Sequence, residues 1–228
     1  MTSTHYPLHF DNGHLFLDIN GSLWLFDTGA PTSFGLQTTL AIGDKTFNIV
    51  DNYMGLNSNT LSTLVSVDCA GLLGADVLGQ FDFLLDTANT NVEISSSSLE
   101  FPEHSISIEQ LMGIPIISAH IGNTDYKMFF DTGAQISYFQ HQSLTTYPPA
   151  GTIDDFYPGF GEFQTETYIV RLKLGAINFD LRCGTLPQLL GTTLTMAGTK
   201  GIIGNEVLSG RIVGYSPSKQ TIAFSDLV

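Results

Sequence analysis

Leu25-Phe26-Asp27-Thr28-Gly29-Ala30 and Phe129-Phe130-Asp131-Thr132-Gly133-Ala134 are nearly the same hexapeptide, written twice in one chain of 228 residues. The two aspartates stand 104 positions apart. A second pair follows, Gly71-Leu72-Leu73-Gly74-Ala75-Asp76-Val77-Leu78 and Gly201-Ile202-Ile203-Gly204-Asn205-Glu206-Val207-Leu208, at an offset of 130. From there both copies run without a gap to Val92-Glu93-Ile94-Ser95 and Ile222-Ala223-Phe224-Ser225. Between the pairs lies a weaker match, Leu40-Ala41-Ile42-Gly43-Asp44 against Leu172-Lys173-Leu174-Gly175-Ala176, at an offset of 132. Nearly all the extra length of the second copy, 28 residues, therefore sits between its Asp-Thr-Gly and this hairpin. A single Asp-Thr-Gly arises by chance in about one chain in twenty of this size at average residue usage. Two copies, each entered by apolar residues and each followed by Gly-apolar-apolar-Gly, mark a tandem duplication.

Composition agrees with two small β-rich units. Hydrophobic residues make up 43% of the chain, which excludes wholesale disorder. Charged residues make up only 13%, about half the usual share, while aromatics reach 11%. That balance suits strands and turns better than a helical bundle. Eight basic against 22 acidic residues give a net charge of −14, which repels phosphate backbones and argues against nucleic-acid partners. Cys69 and Cys183 cannot build a disulfide framework, no paired CxxC suggests zinc, and both read as small buried hydrophobes. No metal or other cofactor is expected. No apolar run reaches 18 residues, and Met1–Pro7 has neither a basic nor an apolar leader region, so the expectation is a cytoplasmic protein without a membrane partner.

Strand signals cover most of the chain. His14–Phe26 reads as a hairpin around Asn20-Gly21, and Ile114–Ile121 with Tyr126–Phe130 repeats it around Gly122-Asn123. Phe83–Asp86 and Asn91–Ile94 pair around Thr87–Thr90. Helical signal is confined to short stretches such as Ala75–Gln80 and Asn205–Ser209. The polar, Pro-containing segment at 98–108 separates a first unit at 1–97 from a second at 109–228.

An aspartate at the end of an apolar strand needs a physical reason, because a buried carboxylate is costly unless hydrogen-bonded or protonated. Glycine two residues on lets the backbone turn an N–H towards the carboxylate. Threonine can bond across to the other copy and hold both loops. If the repeats pack as pseudo-twofold mates, Asp27 and Asp131 meet at the axis and share one proton over a wide pH range. The charged member then serves as general base on a water while the protonated one polarises a carbonyl.

At these residues the sequence resembles the aspartic peptidases, specifically the two-lobed pepsin-like family, over essentially the whole chain. Each copy is as short as a subunit of the homodimeric retroviral relatives. The resemblance implies an all-β, bilobal fold of two pseudo-twofold-related β-barrel lobes with an interlobe cleft. It makes Asp27 and Asp131 the catalytic dyad, Thr28 and Thr132 interlocking threonines, and Gly29 and Gly133 backbone donors beside the substrate. Gly74 and Gly204 then pack against the catalytic loops.

Three departures from the family carry expectations. Ala30 and Ala134 stand where pepsins usually place Ser or Thr; with those hydroxyl donors gone, the dyad is expected to work at less acid pH, as in the retroviral enzymes. Pepsins carry their flap on the first lobe, whereas the 28 additional residues here lie in the second. This points to an inverted arrangement with a flap at about 151–170 and a tip at Pro158-Gly159-Phe160-Gly161. Tyr138 sits where flap-bearing lobes keep an aromatic that touches the flap, and Tyr157 or Phe160 is its expected partner. The pepsin disulfides are absent. His5 and His9 have helical spacing, but Pro7 between them argues against a metal pair. The expected activity is that of a monomeric endopeptidase on polypeptides with apolar residues at the scissile bond. Alternatives on the same fold are a non-catalytic peptide-binding or inhibitor protein and a processing protease for one narrow substrate.

Overall fold

The computed structural model describes residues 3–157 and 160–228. In the first repeat Thr4–Asp11, His14–Ile19 and Ser22–Phe26 form an antiparallel meander. Asn20 and Gly21 both take positive φ (56° and 82°), the geometry that lets a two-residue turn follow the strand twist. Gly71–Leu73 then lies parallel to Ser22–Phe26 and antiparallel to Phe34–Gly35. The second repeat rebuilds this pattern: Ile114–Ile121 pairs with Thr124–Phe130, and Gly201–Ile203 lies parallel to Thr124–Phe130 and antiparallel to Ser137–Phe139. Each Asp-Thr-Gly thus leaves the end of a strand whose neighbour is the matching Gly-apolar-apolar-Gly.

The repeats are sewn together by main-chain pairing. Asp82–Asp86 of the first pairs antiparallel with Ile212–Ser216 of the second, Phe83 opposite Tyr215. The segment between repeats adds to this sheet rather than lying loose, because His104–Ser107 pairs with Thr221–Phe224. A row of rings crosses the junction beneath the two aspartates: Phe26 edge-on to Phe83 at 5.1 Å, Phe83 stacked on Tyr215 at 6.2 Å, and Tyr215 against Phe130 at 6.5 Å. Phe26 and Phe130 are the residues just before Asp27 and Asp131, so the same contacts that bury apolar surface fix where the aspartates emerge. Buried Asp82 adds a polar tie, accepting from Ser216 Oγ at 2.5 Å and Leu99 N–H at 3.2 Å.

Helices are short. Ala75–Leu78 and Asn205–Leu208 follow the glycine motifs as the sequence suggests. Two further helices, α1 (Ser58–Val65) and α2 (Gln188–Met196), precede those motifs and were not expected. The extra length of the second repeat is built as one long hairpin, Pro149–Tyr157 with Gly161–Leu174. Pro158 and Gly159 of the expected tip lie outside the described residues. Cys69 and Cys183 are buried and unpaired.

The antiparallel neighbours approach closely enough to require glycine. A Cβ on Gly201 would stand 1.9 Å from the Tyr138 carbonyl oxygen, and one on Gly71 would stand 2.2 Å from that of Phe34. Gly201→Ala should therefore destabilise by about 3 kcal/mol, the upper range for overpacking. That corresponds to a Tm lower by roughly 6–12 °C for a domain of this size, measurable by thermal unfolding.

Candidate active site

The two Asp-Thr-Gly loops lock through their threonines. Thr28 Oγ1 donates to the Phe130 carbonyl at 2.7 Å and accepts from the Thr132 N–H at 3.1 Å. Thr132 Oγ1 donates to the Phe26 carbonyl at 2.6 Å and accepts from the Thr28 N–H at 3.0 Å. Both threonines are buried, so these four bonds form away from competing water. Behind them the glycine motifs hold each loop in matching fashion. The Gly74 N–H donates to Ser33 Oγ at 2.8 Å and the Gly204 N–H to Ser137 Oγ at 3.1 Å. Ala75 N–H donates to the Ala30 carbonyl and Asn205 N–H to that of Ala134. A Cβ on Gly74 would meet the Ala30 oxygen at 2.7 Å, and one on Gly204 that of Ile136 at 2.4 Å.

Asp27 and Asp131 come together at the floor of the cleft between the repeats. Asp27 Oδ1 accepts from the N–H groups of Gly29 (2.8 Å) and Ala30 (3.0 Å), and Asp131 Oδ1 from that of Gly133 (2.9 Å). Gly29 and Gly133 each face the opposite aspartate: a Cβ on Gly29 would stand 2.2 Å from the Asp131 carboxyl carbon, and one on Gly133 2.6 Å from that of Asp27. No side chain fits there without separating the pair. Burial, the Asp131 charge and the hydrogen bond to Asp131 raise Asp27 well above the usual carboxylate range, against the pull of the Gly29 and Ala30 N–H groups. Burial also raises Asp131, while hydrogen bonds from Asp27 and the backbone draw it down. The pair thus favours the state that holds one proton between two carboxyls.

Apolar side chains wall the pocket of about 150 Å³ over the dyad, among them Leu25, Phe34, Leu72 and Ile202, together with Ala30 and Ala134. The long hairpin contributes Asp155, Phe156, Tyr157 and Phe163, and the first repeat contributes Tyr53 and Met54 opposite. Tyr157 is near enough for both aspartates to raise its hydroxyl pKa, although burial is the larger cause. Phe160 does not line the pocket; its ring packs edge-on against Phe163 at 6.2 Å.

The partner of Tyr138 differs from expectation. Neither Tyr157 nor Phe160 meets it: the Tyr138 hydroxyl donates to Asp155, and its ring tilts against Phe163 at 6.3 Å. His14, buried at 3% exposure, lines the same pocket. Gln135 Nε2 stands 3.0 Å from the Asn12 carbonyl and 2.8 Å from His14 Nε2. Donation to both assigns the ring proton to His14 Nδ1, which has no hydrogen-bond partner. Burial lowers the His14 pKa, and the Asp155 charge and the nearby Gly133 carbonyl only partly oppose it. His14 opens an apolar strand in the sequence, and nothing local there marks it as a cleft residue. Among the described residues no cluster of His, Cys, Asp or Glu could hold a metal ion.

Comparison with known proteins bears on the fold. No family model matches the chain, and no curated protein matches it. Among solved structures, an aspartic proteinase from Irpex lacteus superposes with a TM-score of 0.54 at 10% identity, covering 99% of this chain and 98% of that one. At that identity the likeness establishes the architecture alone.

Two outcomes follow from the geometry. Thr28→Val leaves the Thr132 N–H and the Phe130 carbonyl buried without partners, at about 1–3 kcal/mol for each orphaned group. Thr28→Ser, which keeps the hydroxyl, should restore most of the loss in denaturant unfolding. The dyad also sets a pH dependence. The folded pair binds its proton more tightly than the unfolded chain, so its support for the fold is complete below the ordinary carboxylate range and is lost as pH rises through the raised values. Asp27→Asn should therefore melt higher than the wild type at neutral pH and lose that advantage in acid; a difference independent of pH would contradict the assignment. The chain has the pepsin-like aspartic proteinase fold, with its two repeated aspartates joined at the base of the cleft.

Proposed function

We propose that the chain is an aspartic endopeptidase that hydrolyses peptide bonds with a water activated between Asp27 and Asp131. The observation that carries this reading is the pair itself: two carboxyls from symmetry-related loops, with raised pKa values, under an apolar pocket. The ionised carboxylate takes a proton from the attacking water while the protonated carboxyl donates to the carbonyl oxygen. The tetrahedral diol then collapses as a proton passes to the leaving amine. Neither a metal nor a covalent intermediate enters the sequence of steps.

The long hairpin is read as the flap, carried on the second lobe. Among the described residues its Pro149–Tyr157 strand pairs only with Gly161–Leu174 and ends its sheet, so an extended peptide can add to the free edge. Tyr157 lines the pocket over the dyad, and Tyr138, through Asp155, ties the hairpin to the lobe. Gly29 and Gly133 keep the floor open to the substrate backbone. The apolar walls suit apolar residues at the scissile bond. Because one chain supplies both aspartates, a monomer suffices.

Cleavage of a denatured protein across a pH series, beside Asp27→Asn and Asp131→Asn, tests the proposal. Each variant should lose on the order of 10³-fold or more in kcat/KM, the scale of losing positioned acid–base catalysis. Ala30 and Ala134 add no hydroxyl donors to stabilise the ionised pair, so the optimum should lie above about pH 4. An optimum near pH 2 with collapse above pH 4 would overturn the alanine argument. Full activity in either variant would overturn the dyad. Peptide binding without turnover would leave a non-catalytic member of the fold.

A further inference from the structure

We propose that the polar recess beside the dyad pocket is a subsite for a lysine or arginine side chain of the polypeptide substrate. It is formed by Asp154, Asp155 and Glu162 of the long hairpin facing the C-terminal end of α1. This inference rests on the peptidase reading and deepens it by naming the class of substrate.

The recess, about 540 Å³, is larger than the pocket over the dyad and adjoins it, sharing His14, Asp155, Phe156 and Phe163. An extended chain seated on Asp27 and Asp131 can therefore reach it within a residue or two. Its walls carry three carboxylates and no lysine or arginine. Strand register places Asp155 and Phe163 on one face of the hairpin and Asp154 and Glu162 on the other, so the acids surround the space rather than converge on one point. That spread fits a long, flexible cationic side chain with several donors, not a bare metal ion. None of the three carboxylates forms an ion pair among the described residues.

The opposite wall adds negative potential. Thr63, Leu64 and Ser66 come from the C-terminal end of α1, whose last turn holds no basic residue. The negative end of the helix dipole is left without a counter-charge, and a cation there is favoured.

His14 provides an independent sign of a ligand. Its ring lines both cavities, it is 3% exposed, and Nδ1–H, with the Gly133 carbonyl near it, completes no hydrogen bond of good geometry. A buried donor left unbonded is costly, and a peptide carbonyl passing from the dyad into the recess would satisfy it. One ligand meets both needs: its main chain accepts from His14, and its basic side chain reaches the acids.

The test uses a peptide series in which lysine, arginine, leucine and glutamate are scanned through the positions flanking one scissile bond. It is run on wild-type protein and on Asp154→Asn/Glu162→Gln, a change at the exposed face of the hairpin. One position should favour lysine or arginine over leucine by roughly tenfold in kcat/KM, about 1.4 kcal/mol, and the preference should shrink as salt rises. The double variant should bring that ratio close to parity by lowering the lysine and arginine values. Binding of the same peptides to Asp27→Asn, followed by fluorescence anisotropy, reads the subsite without turnover. A wild type that cleaves with no preference for basic residues, or a preference that survives the double variant, overturns the subsite. Charge-selective binding without cleavage by the wild type would keep the subsite and overturn the peptidase reading. Binding with no charge selectivity would remove the subsite whether or not the chain cleaves.

Discussion

Everything at the centre of this molecule depends on the reciprocal hydrogen bonds between Thr28 and Thr132. Each hydroxyl gives its proton to a carbonyl of the other repeat and takes one from the other threonine's N–H. Four buried bonds in one symmetric knot leave the flanking residues little freedom. Asp27 and Asp131, the residues just before, must then lie side by side. The glycines just after must be glycines, because each faces the opposite carboxyl at a distance no Cβ can occupy. Asn205 reinforces the knot from the second repeat, its amide reaching the carbonyls of Gly13 and Thr132.

The cost of that arrangement is electrostatic. Two carboxyls enclosed together resist double ionisation, and the protein answers with backbone N–H groups rather than with a cation. A further negative charge, Asp155, also raises Asp131. An acidic cleft on an acidic chain disfavours anionic ligands and concentrates cationic ones, an effect that added salt weakens.

Much of the frame was legible in the sequence because it is carried by local chemistry. Asn20-Gly21 marks its hairpin through the positive φ of both residues, and the doubled Asp-Thr-Gly with its glycine partners marks the pseudo-twofold pairing. Helices α1 and α2 were not legible: Ser58–Val65 is rich in Ser and Thr, and Gln188–Met196 has a central Gly191 and several threonines, all weak helix formers held by tertiary packing. His104–Ser107 sits in a polar segment whose strand character comes from its partner Thr221–Phe224, more than 100 residues away. His14 and Asp155 escaped for the same reason. One opens an apolar strand and the other lies in an acidic hairpin, and only the packing of one repeat on the other brings them to a shared cavity. Tyr138 meets the hairpin through Asp155 at its hydroxyl and Phe163 at its ring, two residues that strand register sets opposite each other, and not through Tyr157 or Phe160.

The most direct test of the account is the protonation of the dyad itself. Carbon-13 labelling of aspartate carboxyls, with Asp27→Asn and Asp131→Asn to assign the signals, lets both be followed by NMR through a pH titration of the folded protein. Two coupled steps are expected, with one proton retained by the pair well above the pH at which exposed aspartates ionise. Two carboxyls titrating independently in the ordinary aspartate range would contradict a shared proton, and with it the chemistry built on that proton.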